Sequence, residues 1–166
     1  MDKINRIRPR NRLYESFVAA EALVIVAVCC LLIKPLTNGL LVGCGLYLAL
    51  ANALRGVFLQ HHRRGIRHMG NRRFAEAIGH FSLSLAFFAK HTGIDKCRYV
   101  TMFATSQLSY GQMALFNLAN CYAGEGRFRE AKGAMEQFLQ TGPPDTIAQE
   151  TLSMIARIDE IMAHDA

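Results

Sequence analysis

Histidine has the widest chemical range of the side chains here, and three of the six, His61, His62 and His68, stand within one stretch of eight residues. His61 and His68, seven apart, share a helical face. A metal site takes three or four ligands, and no carboxylate or thiol joins these at a useful spacing, so metal binding is not expected. His80 follows Glu76 by four residues, the spacing of an ordinary surface pair on a helix. The five cysteines, at 29, 30, 44, 97 and 121, contain no C-x-x-C pair, which supports neither a zinc ribbon nor a disulfide framework and leaves reduced thiols as the expectation. Cys121 stands beside Tyr122 and is expected to be buried. H-E-x-x-H, G-x-S-x-G, Walker and dinucleotide glycine patterns are absent from the sequence. No catalytic residue and no cofactor is assigned, and the chain reads as a non-enzyme.

Charge then becomes the informative feature. The net +6 is unevenly spread: +4 over residues 1–60, +5 over 61–73 and −3 over 74–166. A nucleic-acid partner is unsupported, because most of the chain is mildly acidic and the excess sits in two short tracts. Those tracts flank an apolar stretch. Arg63, Arg64 and Arg67, in the acid-free run HHRRGIRH, suit anionic lipid headgroups, where each basic side chain contributes about 1 kcal/mol.

Two segments between the tracts are long and apolar. Residues 16–33 and 36–59 carry one charge each and, as helices, reach roughly 27 and 36 Å against a hydrocarbon core of about 30 Å. KPLTNG (34–39) has turn chemistry, so the two are expected to form a transmembrane helical hairpin over 16–59. No small-residue cleavage site with a polar start follows Ile33, which argues against a signal peptide. The basic segment 1–15, with Lys3, Arg6, Arg8, Arg10 and Arg12, precedes the first span, and Arg63, Arg64 and Arg67 follow the second. A two-pass topology with both termini cytoplasmic follows. Each span holds one costly charge, Glu21 and Arg55. In a hairpin centred on Asn38 they lie at matching depth, where they either pair or snorkel separately. Gly39 with Gly43, and Gly45 with Ala49 and Ala53, mark close approach to the first span or to another copy.

Beyond the spans the chain repeats itself. RFAEAIG (73–79) and RFREAKG (127–133) agree at five of seven places, 54 residues apart, and each opens an amphipathic helical pattern behind a glycine-containing turn. Leu115-x-x-Leu118-Ala119-x-x-Tyr122, then Gly126, Phe128, Ala131, Met135 and Pro143, resemble the tetratricopeptide repeat over 112–145. An earlier, degenerate unit over about 58–91 keeps Gly65, Phe74, Ala77 and Phe81, with its turn glycine displaced to Gly70. Its first helix either continues the second span or breaks at Gly65 and the HHRRG cluster. The family spacing is 34 residues, so about 20 are inserted near 92–111; Asp95 suits the cap of a short helix there, and Ser109-x-x-Gln112 has capping-box form. A last helix, 146–163, puts Ala148, Leu152, Ile155 and Met162 on one face and reads as a terminal cap.

The expected fold is all-α: a transmembrane hairpin followed by a cytoplasmic domain, 60–166, forming a short solenoid of helix pairs. The resemblance implies a concave groove lined by the first helix of each pair, which here offers Met113, Phe116, Asn117 and Asn120 to a protein or peptide partner. The expectation is a membrane-anchored adaptor. The alternative is a non-catalytic subunit of a membrane complex assembled through its spans.

Overall fold

The computed structural model describes residues 12–164, with side chains from Glu15 onward; Lys3, Arg6, Arg8, Arg10 and the side chain of Arg12 lie outside the described residues. Among the described residues the chain is all-helical: α1 (Arg12–Leu32), α2 (Leu36–Phe58), α3 (Gln60–Gly70), α4 (Phe74–Lys90), α5 (Thr92–Lys96), α6 (Arg98–Thr101), α7 (Tyr110–Gly124), α8 (Phe128–Gln140) and α9 (Asp145–His164). They form two compact units. One holds α1 and α2 together with Lys96–Gln107; the other holds Leu59–Asp95 and the chain from Leu108 onward.

In the first unit α1 and α2 pack along each other after a turn of only three residues, 33–35. Glycine sets their closeness. A Cβ on Gly39 would fall 2.7 Å from Cys30 Cα, and one on Gly43 would fall 2.8 Å from Val26 Cα. Moving four residues forward in α2 moves four residues back in α1, so the pair is antiparallel, and the backbones approach as only small residues permit. The outward surface is apolar and open: Cys29 is the single buried residue among the described side chains of α1, and Gly39, Gly43 and Ala51 are those of α2. The Gly45, Ala49 and Ala53 stripe takes no part in the seam; all three are exposed.

The second unit is a row of helices, with α3 on α4, α4 on α7, α7 on α8 and α8 on α9. The 54-residue repeat reappears in its backbone bonds. At the α3–α4 turn the N–H groups of Asn71, Arg72 and Arg73 donate to Arg67 and His68, to Met69, and to His68; at the α7–α8 turn those of Glu125, Gly126 and Arg127 donate to Cys121 and Tyr122, to Ala123, and to Tyr122. Every donor and acceptor is shifted by 54. The expected turn glycine is thereby corrected: Gly126, at φ +75°, corresponds to Arg72, at φ +59°, and not to Gly70. The core follows the same register, with Ala77 and Phe81 fully buried on α4 and Ala131 and Met135 on α8. Gly65 packs rather than breaks its helix, since a Cβ there would meet the Phe81 ring at 2.8 Å; the break falls at Leu59.

Two further expectations shift. The capping box at Ser109 and Gln112 starts α7, but Asp95 caps that same helix instead of a short one of its own, accepting from Tyr110 N at 2.7 Å and Gly111 N at 2.8 Å. On α9 the buried residues are Ile147, Thr151 and Ile158, while Leu152 is exposed. The inward face thus centres on Ile147, Thr151 and Ile158, with the expected Ala148, Ile155 and Met162 half-buried beside it. Thr151 tolerates burial because its hydroxyl donates to Ile147 O at 2.8 Å.

Candidate functional site

Arg55 is the charged side chain that the sequence places inside the second span. Its Nε donates to Met102 O at 2.8 Å and its Nη2 to Phe103 O at 2.5 Å. These carbonyls belong to an irregular stretch following α6, whose turn puts Phe103 at φ +49° and buries Met102, Phe103 and Ala104. Tyr47, Ala51 and Arg55 follow one another at a spacing of four along α2, and Tyr47 meets the Phe103 ring edge-on with centroids 5.0 Å apart. Across on α1, Phe17 meets Tyr99 at 5.6 Å. A second guanidinium works from within the stretch: Arg98, buried, donates to Ser106 O through Nε and Nη2 and to Gln107 O at 3.0 Å. Two arginines thus donate to four backbone carbonyls of this stretch.

Of the two alternatives for Glu21 and Arg55, the ion pair is not formed. The antiparallel register set by Gly43 and Val26 brings Glu21 opposite Leu48, seven residues and about 10 Å along the helix from Arg55. The turn is centred nearer residue 34 than Asn38, because α2 starts immediately after Pro35. Glu21 Oε2 is buried without a hydrogen-bond partner.

The histidine tract divides by helical face. Arg63, Arg64 and Arg67 are exposed along one side of α3. His62 is buried, in contact with the Phe81 and Tyr110 rings at 5.6 and 5.5 Å, and its Nδ1 lies 3.4 Å from Ser84 Oγ. His68 stacks on His80 at 5.2 Å, and His61 approaches His80 at 5.9 Å. His80 therefore belongs to a cluster of imidazoles and not to a surface pair with Glu76. Burial, then the proximity of His68, His61 and Arg64, lowers its pKa. No group of three or more potential ligands is arranged to hold a metal among the described residues. Cys121 is fully buried beside Leu118 and Phe81, and burial, with Glu125 nearby, pushes its thiol up to about 12.

The expected groove face of α7 is only partly assembled. Met113, Asn117 and Asn120 share one half-buried side of the helix, and neither carboxamide hydrogen-bonds to any described residue. Phe116, three residues after Met113 and four before Asn120, has its ring 5.3 Å from that of Phe138 on α8. Sequence reasoning missed Arg98 and the carbonyls of Met102 and Phe103, since backbone acceptors carry no residue-type signal.

Comparison with known protein families, with characterised proteins and with solved structures finds no match to this chain.

Proposed function

We infer that the chain is a membrane-anchored helical scaffold, with α1 and α2 crossing the bilayer and the second unit presenting tetratricopeptide-like helix pairs to a protein partner on the cytoplasmic side. The observation that carries this reading is the outward surface of the first two helices. Leu23, Leu31, Leu32, Leu36 and Leu41 are each more than two-thirds exposed. A buried core helix would cover them, and water would leave a patch of this length unstable as a monomer. Both helices are long and apolar enough to cross a membrane. The repeated turn, identical bond for bond 54 residues apart, supports the paired-helix reading of the second unit. Orientation rests on the basic tracts on either side of the spans.

Within that scaffold Met113, Asn117 and Asn120 form the partner face, the two carboxamides meeting an extended peptide backbone. Phe116, committed to Phe138, supports the face from beneath. The test is crosslinking in intact membranes with mass-spectrometric identification. Asn117→Ala with Asn120→Ala should abolish capture of the partner while the protein still accumulates in the membrane. Undiminished capture refutes the face.

A second reading has its own observation. Gly45 has open space around it, and Gly45, Ala49 and Ala53 stand exposed on α2 at a spacing that lets another membrane helix approach. Under that reading the chain is an auxiliary subunit assembled through its spans, and leucine at those three places abolishes association while the α7 substitutions leave it intact.

A further inference from the structure

We propose that residues 97–107 form a third membrane-embedded element, a re-entrant segment that dips into the cytoplasmic leaflet against α1 and α2 and presents its outer side to lipid. This rests on the spanning role of α1 and α2, and it gives that anchor a shape and a contact surface that two bare helices lack.

Depth is the first argument. Phe103 meets Tyr47, which lies eight residues, about 12 Å along the helix, inward of Arg55, and Arg55 is itself three residues inside the end of α2. On α1 the contact is at Phe17, five residues after Arg12, where that helix begins. Both ring contacts therefore lie within the spanning lengths. A segment packed at these positions shares the environment of the helices it touches.

The second argument is how its polar groups are met. Irregular backbone persists in hydrocarbon only where its hydrogen bonds are made inside the protein. Here Met102 and Phe103 carbonyls accept from Arg55, Ser106 and Gln107 carbonyls accept from Arg98, and Met102 N and Ala104 N both donate to Arg98 O. The Thr101 hydroxyl donates to Cys97 O at 3.0 Å. Composition agrees. Arg98 is the single charged residue from 97 to 124, and it donates to the Ser106 and Gln107 carbonyls. Val100 is about half exposed. The exposed apolar belt of α1 and α2 continues across it, and lipid is the medium that belt already requires. Arg55 is then a positioning residue: in hydrocarbon its charge is offset by two carbonyl dipoles, and those carbonyls gain the donor they need.

The test places one nitroxide at a time on the full chain, with the other cysteines replaced by alanine, reconstituted in phosphatidylcholine–phosphatidylglycerol vesicles. The labelled sites are Val100→Cys, native Cys44 as a reporter of the span, and Gln140→Cys as a reporter of water. Collision with oxygen and with a water-soluble nickel chelate gives depth. The expected result is loss of chelate access at position 100, at a depth between the two reporters. Arg55→Ala should return position 100 to chelate access while Cys44 stays shielded; Tyr47→Ala, which leaves the charge in place, should do so in part. Chelate access at 100 equal to that at 140, with Cys44 shielded, overturns the re-entrant segment and leaves the hairpin standing. Chelate access at Cys44 overturns the hairpin and the segment with it. Shielding at 100 unaffected by Arg55→Ala removes Arg55 from its positioning role.

Discussion

Arg72→Gly should stabilise the second unit. Arg72 is held at φ +59° in a turn whose counterpart, 54 residues later, places Gly126 at φ +75° with the same pattern of backbone bonds. A left-handed conformation costs an L-residue roughly 1–2 kcal/mol, because Cβ crowds the following carbonyl. Glycine removes that cost but adds about 0.4–1 kcal/mol of conformational freedom to the unfolded chain. The difference is a gain of about 0.5–1 kcal/mol, and nothing offsets it, since the Arg72 side chain is exposed and makes no hydrogen bond or ion pair with a described residue. For a unit of this size that is a rise in Tm of about 2–8 °C. Gly126→Ala should show the reverse, a loss of about 0.5–1 kcal/mol by the same two costs. Thermal unfolding of the full chain in detergent, followed by far-ultraviolet circular dichroism, measures both. Arg72→Ala serves as the control and should leave Tm nearly unchanged, because it keeps the strain. A fall in Tm for Arg72→Gly, or an equal rise for Arg72→Ala, refutes the backbone argument.

Other substitutions test other parts of the structure. Glu21→Gln should accumulate in membranes at least as well as the parent, and exchanging Glu21 with Arg55 should fail to restore a single Arg55 variant, since Arg55 serves carbonyls and Glu21 has no cation; membrane-fraction immunoblotting reads both. In detergent at neutral pH, maleimide should spare Cys121, whose thiol burial holds at about 12, and should label it once the chain is unfolded; peptide mapping reads both. Stability should also fall in mild acid. His80 has a lowered folded pKa, so the unfolded chain binds its proton more readily; stability is full above about 6.5, is lost as pH falls from there toward the folded value, and depends less on pH in His80→Gln, as unfolding midpoints at several pH values should record.

The sequence was most transparent where a pattern repeats along many residues. The two long apolar helices, the amphipathic stretches from Phe74 and Phe128 and the capping box at Ser109 all come from periodicity or short-range chemistry, and each lies close to where its residues suggest. Reading failed where one residue of offset changes the partner. A hairpin centred four residues too late put Glu21 beside Arg55, and on α9 the apolar pattern favoured Leu152, which is exposed, over its neighbour Thr151, which is buried. Pro143, just ahead of the helix, is buried together with Ile147. His62 and His80 were opaque for a different reason: imidazole suits a headgroup, a surface pair or a core equally, and only the neighbouring helix decides.

Residues 96–107 show how a row of packed helices can admit a long excursion between two neighbours. Lys96–Gln107 leaves the second unit and returns to it, yet α4 still packs directly on α7. Asp95, at the point of departure, takes the first two N–H groups of α7, at the point of return, so the base of the excursion is closed by bonds that the start of α7 needs in any case. Once the ends are held, loop length costs little: each doubling adds only about 0.6 kcal/mol of closure entropy. Twelve residues are therefore free to fold by other contacts, and those they make are with α1 and α2, through Tyr99, Phe103 and the carbonyls on Arg55. What reads as a departure from the repeat in one unit is a structural element of the other. An arginine that looks misplaced in an apolar helix is the group that receives it.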